Sequence, residues 1–112
     1  MSRWLLTGGA GYIGSHVAVE LLASGRDVVI VDDLSTGFAA RIADSAAFVE
    51  GSGQDTKLLA KVMRERYIDG VVHHAAKKAV GESVERPLYY YRENVDGVLA
   101  VLAAMNEAGV NK

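Results

Sequence analysis

Short apolar runs alternate along this chain with stretches in which apolar residues recur every three or four positions. Trp4, Leu5 and Leu6 form the first run and stop at Thr7-Gly8-Gly9, and Ile13, Val17 and Leu21 then recur at helical spacing. This predicts a strand, a glycine turn and a helix whose buried face is Ile13, Val17 and Leu21. Gly25 stands where a left-handed C-cap belongs, and the β-branched run from Val28 to Val31 predicts a second, fully buried strand. Small and polar residues fill the stretch from Leu34 to Ala47, with a weak helical turn around Ala39 to Ala43, before Phe48-Val49 offers a short third strand. Asp55 sits at an N-cap position ahead of a helix with Leu58, Leu59, Val62 and Met63 on one face. Asp69-Gly70 separates that helix from a fourth strand at Val71-Val72. From Pro87 a long helix runs to a C-cap at Gly109, with Val95, Val98, Leu99, Leu102 and Met105 as the stripe expected to pack. Gly97 inside it costs about 1 kcal/mol against Ala, which close packing would offset.

Strands alternating with helices call for parallel βαβ units with right-handed crossovers. The expected fold is α/β, a truncated Rossmann-type doubly wound parallel sheet in the order 3-2-1-4, with helices on both faces and residues 1–112 as one domain. No fifth strand follows within these residues, so the fourth is expected to be an open edge that pairs with another copy, giving a homo-oligomer.

Composition narrows the chemistry. Twelve Lys and Arg against 14 Asp and Glu give a formal charge of −2, without a basic block, which disfavours nucleic acid and anionic membranes as partners. The absence of Cys removes thiol nucleophiles, disulfides and Cys-based metal sites. The first residues are too short an apolar run for a signal peptide or a span, and a cytoplasmic location is expected.

The candidate chemistry begins at Gly8-Gly9-Ala10-Gly11-Tyr12-Ile13-Gly14, directly after a strand and at the opening of a helix. A glycine at 8 makes the tight turn, one at 11 lets backbone approach a pyrophosphate, and Gly14 brings the helix close to the sheet with its first amides facing the anion. A ligand-free turn would use glycines too, so a second match matters. Asp32 supplies it, closing the second strand where a carboxylate can accept the adenosine ribose hydroxyls. Asp33 adds negative charge and no Arg follows directly, which favours NAD over NADP.

GGAGYIGSH, VDDLSTG and HHAAKKAVGESVERPLYYYRENV together resemble the extended short-chain dehydrogenase/reductase family, over Trp4 to Lys112. The resemblance is strongest to members that invert C4 of a UDP-linked hexose. It implies that Asp32 binds the adenosine ribose, and that Lys78 and Asn94 lie near the phosphates and nicotinamide ribose. It also implies a UDP-sugar substrate for the complete enzyme: a Tyr takes the C4 hydroxyl proton, NAD takes the C4 hydride, and the hydride returns to the other face. Three departures stand out. Asp33 replaces a usual Asn, Ser52-Gly53 replaces an Asp and an apolar residue that reach the adenine, and His74 replaces a Phe.

Ala75 and Ala76, after the fourth strand, are small enough for a cofactor to lie against them. His73 and His74 could be ligands or bases, but neighbours on a strand face opposite ways and no third ligand is apparent, so packing or polar lining is favoured. The family's catalytic Tyr has a Lys four residues on. Tyr12, Tyr67, Tyr89, Tyr90 and Tyr91 are followed at that spacing by His16, Val71, Glu93, Asn94 and Val95, so no catalytic residue is assigned and the 112 residues alone are expected to be inactive. The alternatives are a non-catalytic nucleotide-binding or self-associating module, and part of a related sugar-nucleotide dehydratase or decarboxylase.

Overall fold

The computed structural model describes residues 2–76 and 80–112. β1 (Arg3–Thr7) leads through the glycine turn to α1 (Tyr12–Ala23), then to β2 (Asp27–Asp32), a 3₁₀ turn (Ala39–Arg41) and β3 (Ala47–Glu50). α2 (Thr56–Glu65), β4 (Gly70–His73), α3 (Val80–Glu85) and α4 (Pro87–Ala108) complete the described elements. All pairings are parallel and the order is β3-β2-β1-β4, the topology the pattern predicts. Leu5 lies level with Val29 on one side and Val71 on the other, and Thr7 with Val31 and His73.

Alternation along β1 and β2 divides the core between the two sheet faces. Leu5, Val29 and Val31 pack with Leu59, Val62 and Met63 of α2 and with Val101 and Ala104 of α4. Leu6, Val28 and Ile30 pack with Ala18 and the partly buried Val17, Leu21 and Leu22 of α1. The caps read from the sequence form. The Asp55 carboxylate accepts the Leu58 N–H at 3.1 Å, and Gly25 (φ +86°) and Gly109 (φ +75°) adopt left-handed conformations.

Two helix faces differ from expectation. Ile13 is exposed, and α1 buries Gly14, Ser15 and Ala18 instead, with Val17 and Leu21 partly covered. The cause is Gly14: a Cβ there would lie 2.4 Å from the Gly8 carbonyl oxygen, so this face sets the rotation of α1 and Ile13 turns outward. On α4 the large stripe Val95, Val98, Leu99 and Leu102 faces out, with Leu102 55% exposed, and only Met105 reaches the core margin. Gly97, Ala100, Val101 and Ala104 face inward. Their small size allows the close approach, since a Cβ on Gly97 would sit 3.8 Å from the His73 ring and the Thr56 hydroxyl reaches the Ala100 carbonyl at 3.4 Å. α3 was not anticipated, being too short to show a period.

At the carboxyl end of the sheet, β1 and β4 are joined by side chains. The buried Thr7 hydroxyl lies 2.5 Å from His73 Nδ1 and accepts the Ala75 N–H at 3.4 Å. Burial, and secondarily the adjacent His74, hold His73 below its ordinary pKa of 6.5. The expected open edge of β4 is in part occupied: the Val71 N–H donates to the Lys112 carbonyl at 2.9 Å, and Val110 packs against the core.

Leu59→Ala is expected to cost about 2 to 5 kcal/mol in urea unfolding, whereas Leu102→Ala in dilute solution should stay within about 0.5 kcal/mol. Equal losses would place both residues in the core. A second expectation concerns pH. Because the folded chain holds His73 below 6.5, the unfolded chain takes up the proton first as pH falls. This contribution is complete above the ordinary value and is lost as pH drops through the interval down to the depressed one. His73→Asn should therefore flatten the decline in unfolding midpoint between about pH 7.5 and about pH 5.5, and an unaltered slope would assign the decline to other groups.

Candidate cofactor-binding site

The site starts from a turn that few residues permit. Gly8 has φ +71°, and a Cβ on it would lie 2.7 Å from the Ala75 nitrogen. The chain thus doubles back against the end of β4, and the Gly11 N–H closes the turn on the Gly8 carbonyl at 3.1 Å. Gly11 is the N-cap of α1 and offers no side-chain cap. The first-turn amides of α1 remain directed at whatever lies before the helix, which is the arrangement that holds an anion.

Asp32 closes β2 beside this turn. Its buried carboxylate accepts the Ala10 N–H at 3.0 Å through Oδ2 and the Leu34 N–H at 2.7 Å through Oδ1. Asp32 therefore fixes the glycine turn as well as facing it, a second task that the sequence did not disclose. Leu34 is held at φ +62°, a conformation unusual for a residue with a Cβ, and the Asp33 carboxylate supports the same bend by accepting the Ser35 N–H at 2.9 Å.

A cavity of about 780 Å³ opens at the carboxyl ends of the strands, in the range of small-molecule sites. Gly8, Gly11, Tyr12, Ile13 and Gly14 form its floor, and Asp32 and Asp33 its side beyond β2. Ser52 and Gly53 line it from the end of β3, and His74, Ala75 and Ala76 from the end of β4. The structure thus gathers most of the residues singled out from the sequence, although they come from four separate segments. His73 turns instead to Thr7, so the two histidines part as strand neighbours should. Asn94 is not among the described residues lining the cavity, though Glu93 and Gly97 beside it are. Lys78 lies outside the described residues.

Sequence reasoning passed over several lining residues. Arg41, Gln54, Glu82 and Glu93 belong to no pattern around the glycine loop, and Tyr89 and Tyr90, weighed from the sequence only as catalytic candidates, line the cavity with them. The Tyr90 hydroxyl donates to Glu82 at 2.6 Å, joining α3 to α4, and the Gln54 amide donates to Glu93, joining the segment after β3 to α4. Among the described residues no group of three or more His, Asp or Glu could hold a metal ion, and no helix is long and apolar enough to cross a membrane.

A family described as the NAD dependent epimerase/dehydratase family matches residues 4–112. A UDP-glucose 4-epimerase of Lactobacillus helveticus is 47% identical over 106 residues, covering 95% of this chain and 32% of the relative. One from Streptomyces lividans is 47% identical over 111 residues, covering 98% of this chain and 34% of the relative. The chain thus spans about a third of the length of these curated relatives. A crystal structure of a UDP-glucose 4-epimerase from Stenotrophomonas maltophila, with bound NAD and formylated UDP-arabinopyranose, superposes with a TM-score of 0.95 at 43% identity, over 99% of this chain and 35% of that one. The Brucella ovis enzyme in complex with NAD gives 0.94 at 40% identity, over 99% of this chain and 34% of that one. Sequence, topology and the glycine turn agree with these matches, and the chain belongs to the NAD dependent epimerase/dehydratase family.

Proposed function

We propose that this chain is the N-terminal, NAD-binding part of an enzyme that interconverts UDP-glucose and UDP-galactose by inverting C4. The observation that carries the reading is the cradle itself: three glycines at a strand-to-helix turn with a carboxylate anchored beside it. The donor set fits NAD. The first amides of α1 face the position of a pyrophosphate, and a Cβ on Gly11 would meet only the Gly8 carbonyl oxygen, at 3.3 Å, so its open side belongs to a ligand. Asp32 retains unused lone pairs after its two backbone bonds and can accept ribose hydroxyls. Ala75 and Ala76 line the cavity at the end of β4 as a ledge of small side chains. Bound NAD supplies a hydride acceptor for C4 of the sugar. This chain's own residues hold the dinucleotide, set its ribose and leave the ledge clear. Proton transfer falls to residues outside these 112, because no Tyr here has a Lys four positions on. A dehydratase or decarboxylase of the same family would use the same cradle, and the identities to 4-epimerases favour epimerisation.

Self-association belongs to this proposal, but through a different surface from the sheet edge. Leu88, Tyr91, Val95, Val98 and Leu102 of α4 alternate at spacings of three and four and are exposed, Leu88 at 78%. That is the spacing of a helix seam between copies, whereas the edge of β4 is partly occupied by the chain after α4.

Gly11→Val is expected to abolish NAD binding in calorimetric titration and to lower the melting temperature less than Gly14→Val does, because its Cβ would lie 3.3 Å rather than 2.4 Å from the Gly8 carbonyl oxygen. Gly14→Val should lower the melting temperature, since its Cβ would overlap the Gly8 carbonyl. Undiminished NAD affinity in Gly11→Val would reduce the loop to a turn. For association, Val98→Glu is expected to shift the sedimenting species to monomer, and an unchanged mass would remove α4 from the contact.

A further inference from the structure

The 3₁₀ turn carries one cation to the adenosine end of the cavity, and it is tied to the ribose-facing acid through three backbone donors. The Ala10 N–H donates to Asp32 at 3.0 Å, the Phe38 N–H donates to the Ala10 carbonyl at 3.2 Å, and the Arg41 N–H donates to the Phe38 carbonyl at 2.9 Å. Gly37 passes so close to the glycine turn that a Cβ would lie 2.8 Å from the Ala10 carbonyl carbon and oxygen. Arg41 is thereby held in register with Asp32 although it is distant from the strand in sequence.

Its side chain is oriented as well. The guanidinium carbon lies over the Phe38 ring, 4.9 Å from its centre, within cation–π range. Among the described residues Arg41 lines the cavity and Phe38 does not. It is also the one Lys or Arg among the described lining residues, against the carboxylates of Asp32, Asp33, Glu82 and Glu93. At the end of β3 the Ser52 hydroxyl accepts the Gln54 N–H at 3.0 Å, and Gly53 has no side chain. That wall presents no charged group to the edge of a base.

We propose that Arg41 recognises the adenine of the dinucleotide by stacking its guanidinium on the face of the base, with Phe38 supporting it from behind. Face recognition takes the place of edge recognition at Ser52-Gly53. A phosphate on the ribose 2′ oxygen is the other partner a guanidinium could take, but Asp32 and Asp33 stand at the same place and repel a dianion. The inference rests on the cofactor reading above and assigns one residue to the adenosine half of that site.

The test is calorimetric titration of the 112-residue chain with NAD, ADP-ribose, nicotinamide mononucleotide and NADP. Arg41→Ala is expected to weaken NAD and ADP-ribose alike, by about threefold to thirtyfold, and to leave nicotinamide mononucleotide unaffected. Arg41→Lys should weaken them nearly as much, because it keeps the charge and loses the plane. Wild-type affinity in Arg41→Lys would show that charge alone is read, and wild-type affinity in Arg41→Ala would remove the residue from the site. Either overturns the proposal, as would a loss confined to NADP. Failure of the wild-type chain to bind NAD or ADP-ribose would overturn the cofactor reading itself and this inference with it.

Discussion

A buried carboxylate accepting two backbone amides holds the working end of this molecule together. Asp32 ends β2, which is buried from Val28 onward, and its oxygens take the N–H groups of Ala10 and Leu34. One bond fixes the glycine turn and the other fixes the bend that leaves the strand. Charge-assisted bonds of this kind are among the stronger ones, and losing the acceptor would leave buried donors without partners. The acid expected to hold a ribose is thus also the anchor of the loop expected to hold the phosphates.

Steric exclusion completes what Asp32 begins. Gly8 lies against the backbone of Ala75 and Gly14 against the carbonyl of Gly8, so β1, α1 and the end of β4 meet at distances no side chain would allow. The Thr7 hydroxyl, shared by His73 and the Ala75 amide, ties β1 and β4 at the same level. Ala75 is therefore as firmly placed as the glycine turn it touches. A cavity built on so fixed a junction can bind a flexible dinucleotide with less ordering of its own backbone, which lowers the entropic cost of association.

The α4 helix shows how one element serves two surfaces. Its inner face of Gly97, Ala100, Val101 and Ala104 is small, which lets it close on His73 and α2. The large apolar side chains are carried outward, where they are available to another surface. Ranking residues by hydrophobicity inverts these two faces, because the inner one is selected for closeness rather than for apolar area.

The sequence by itself determined the order of strands and helices, the caps at Asp55, Gly25 and Gly109, and the glycine turn paired with Asp32. Each of these is a local signal, written in periodicity, in a residue that accepts a left-handed conformation, or in a short motif. Only the tertiary structure decided how α1 and α4 are rotated, because rotation is set by which contact is tightest and not by which stripe is most apolar. Ile13 and Leu102 turn outward for that reason. Only the folded chain brings Arg41, Gln54, Glu82 and Glu93 to the cavity. Arg41 and Gln54 lie on turns with no period to read, and the periodicity of a helix does not say what its polar residues such as Glu93 will face. The double use of Asp32 was equally hidden, because its partners are the backbone amides of Ala10 and Leu34, and every residue but proline has such a donor.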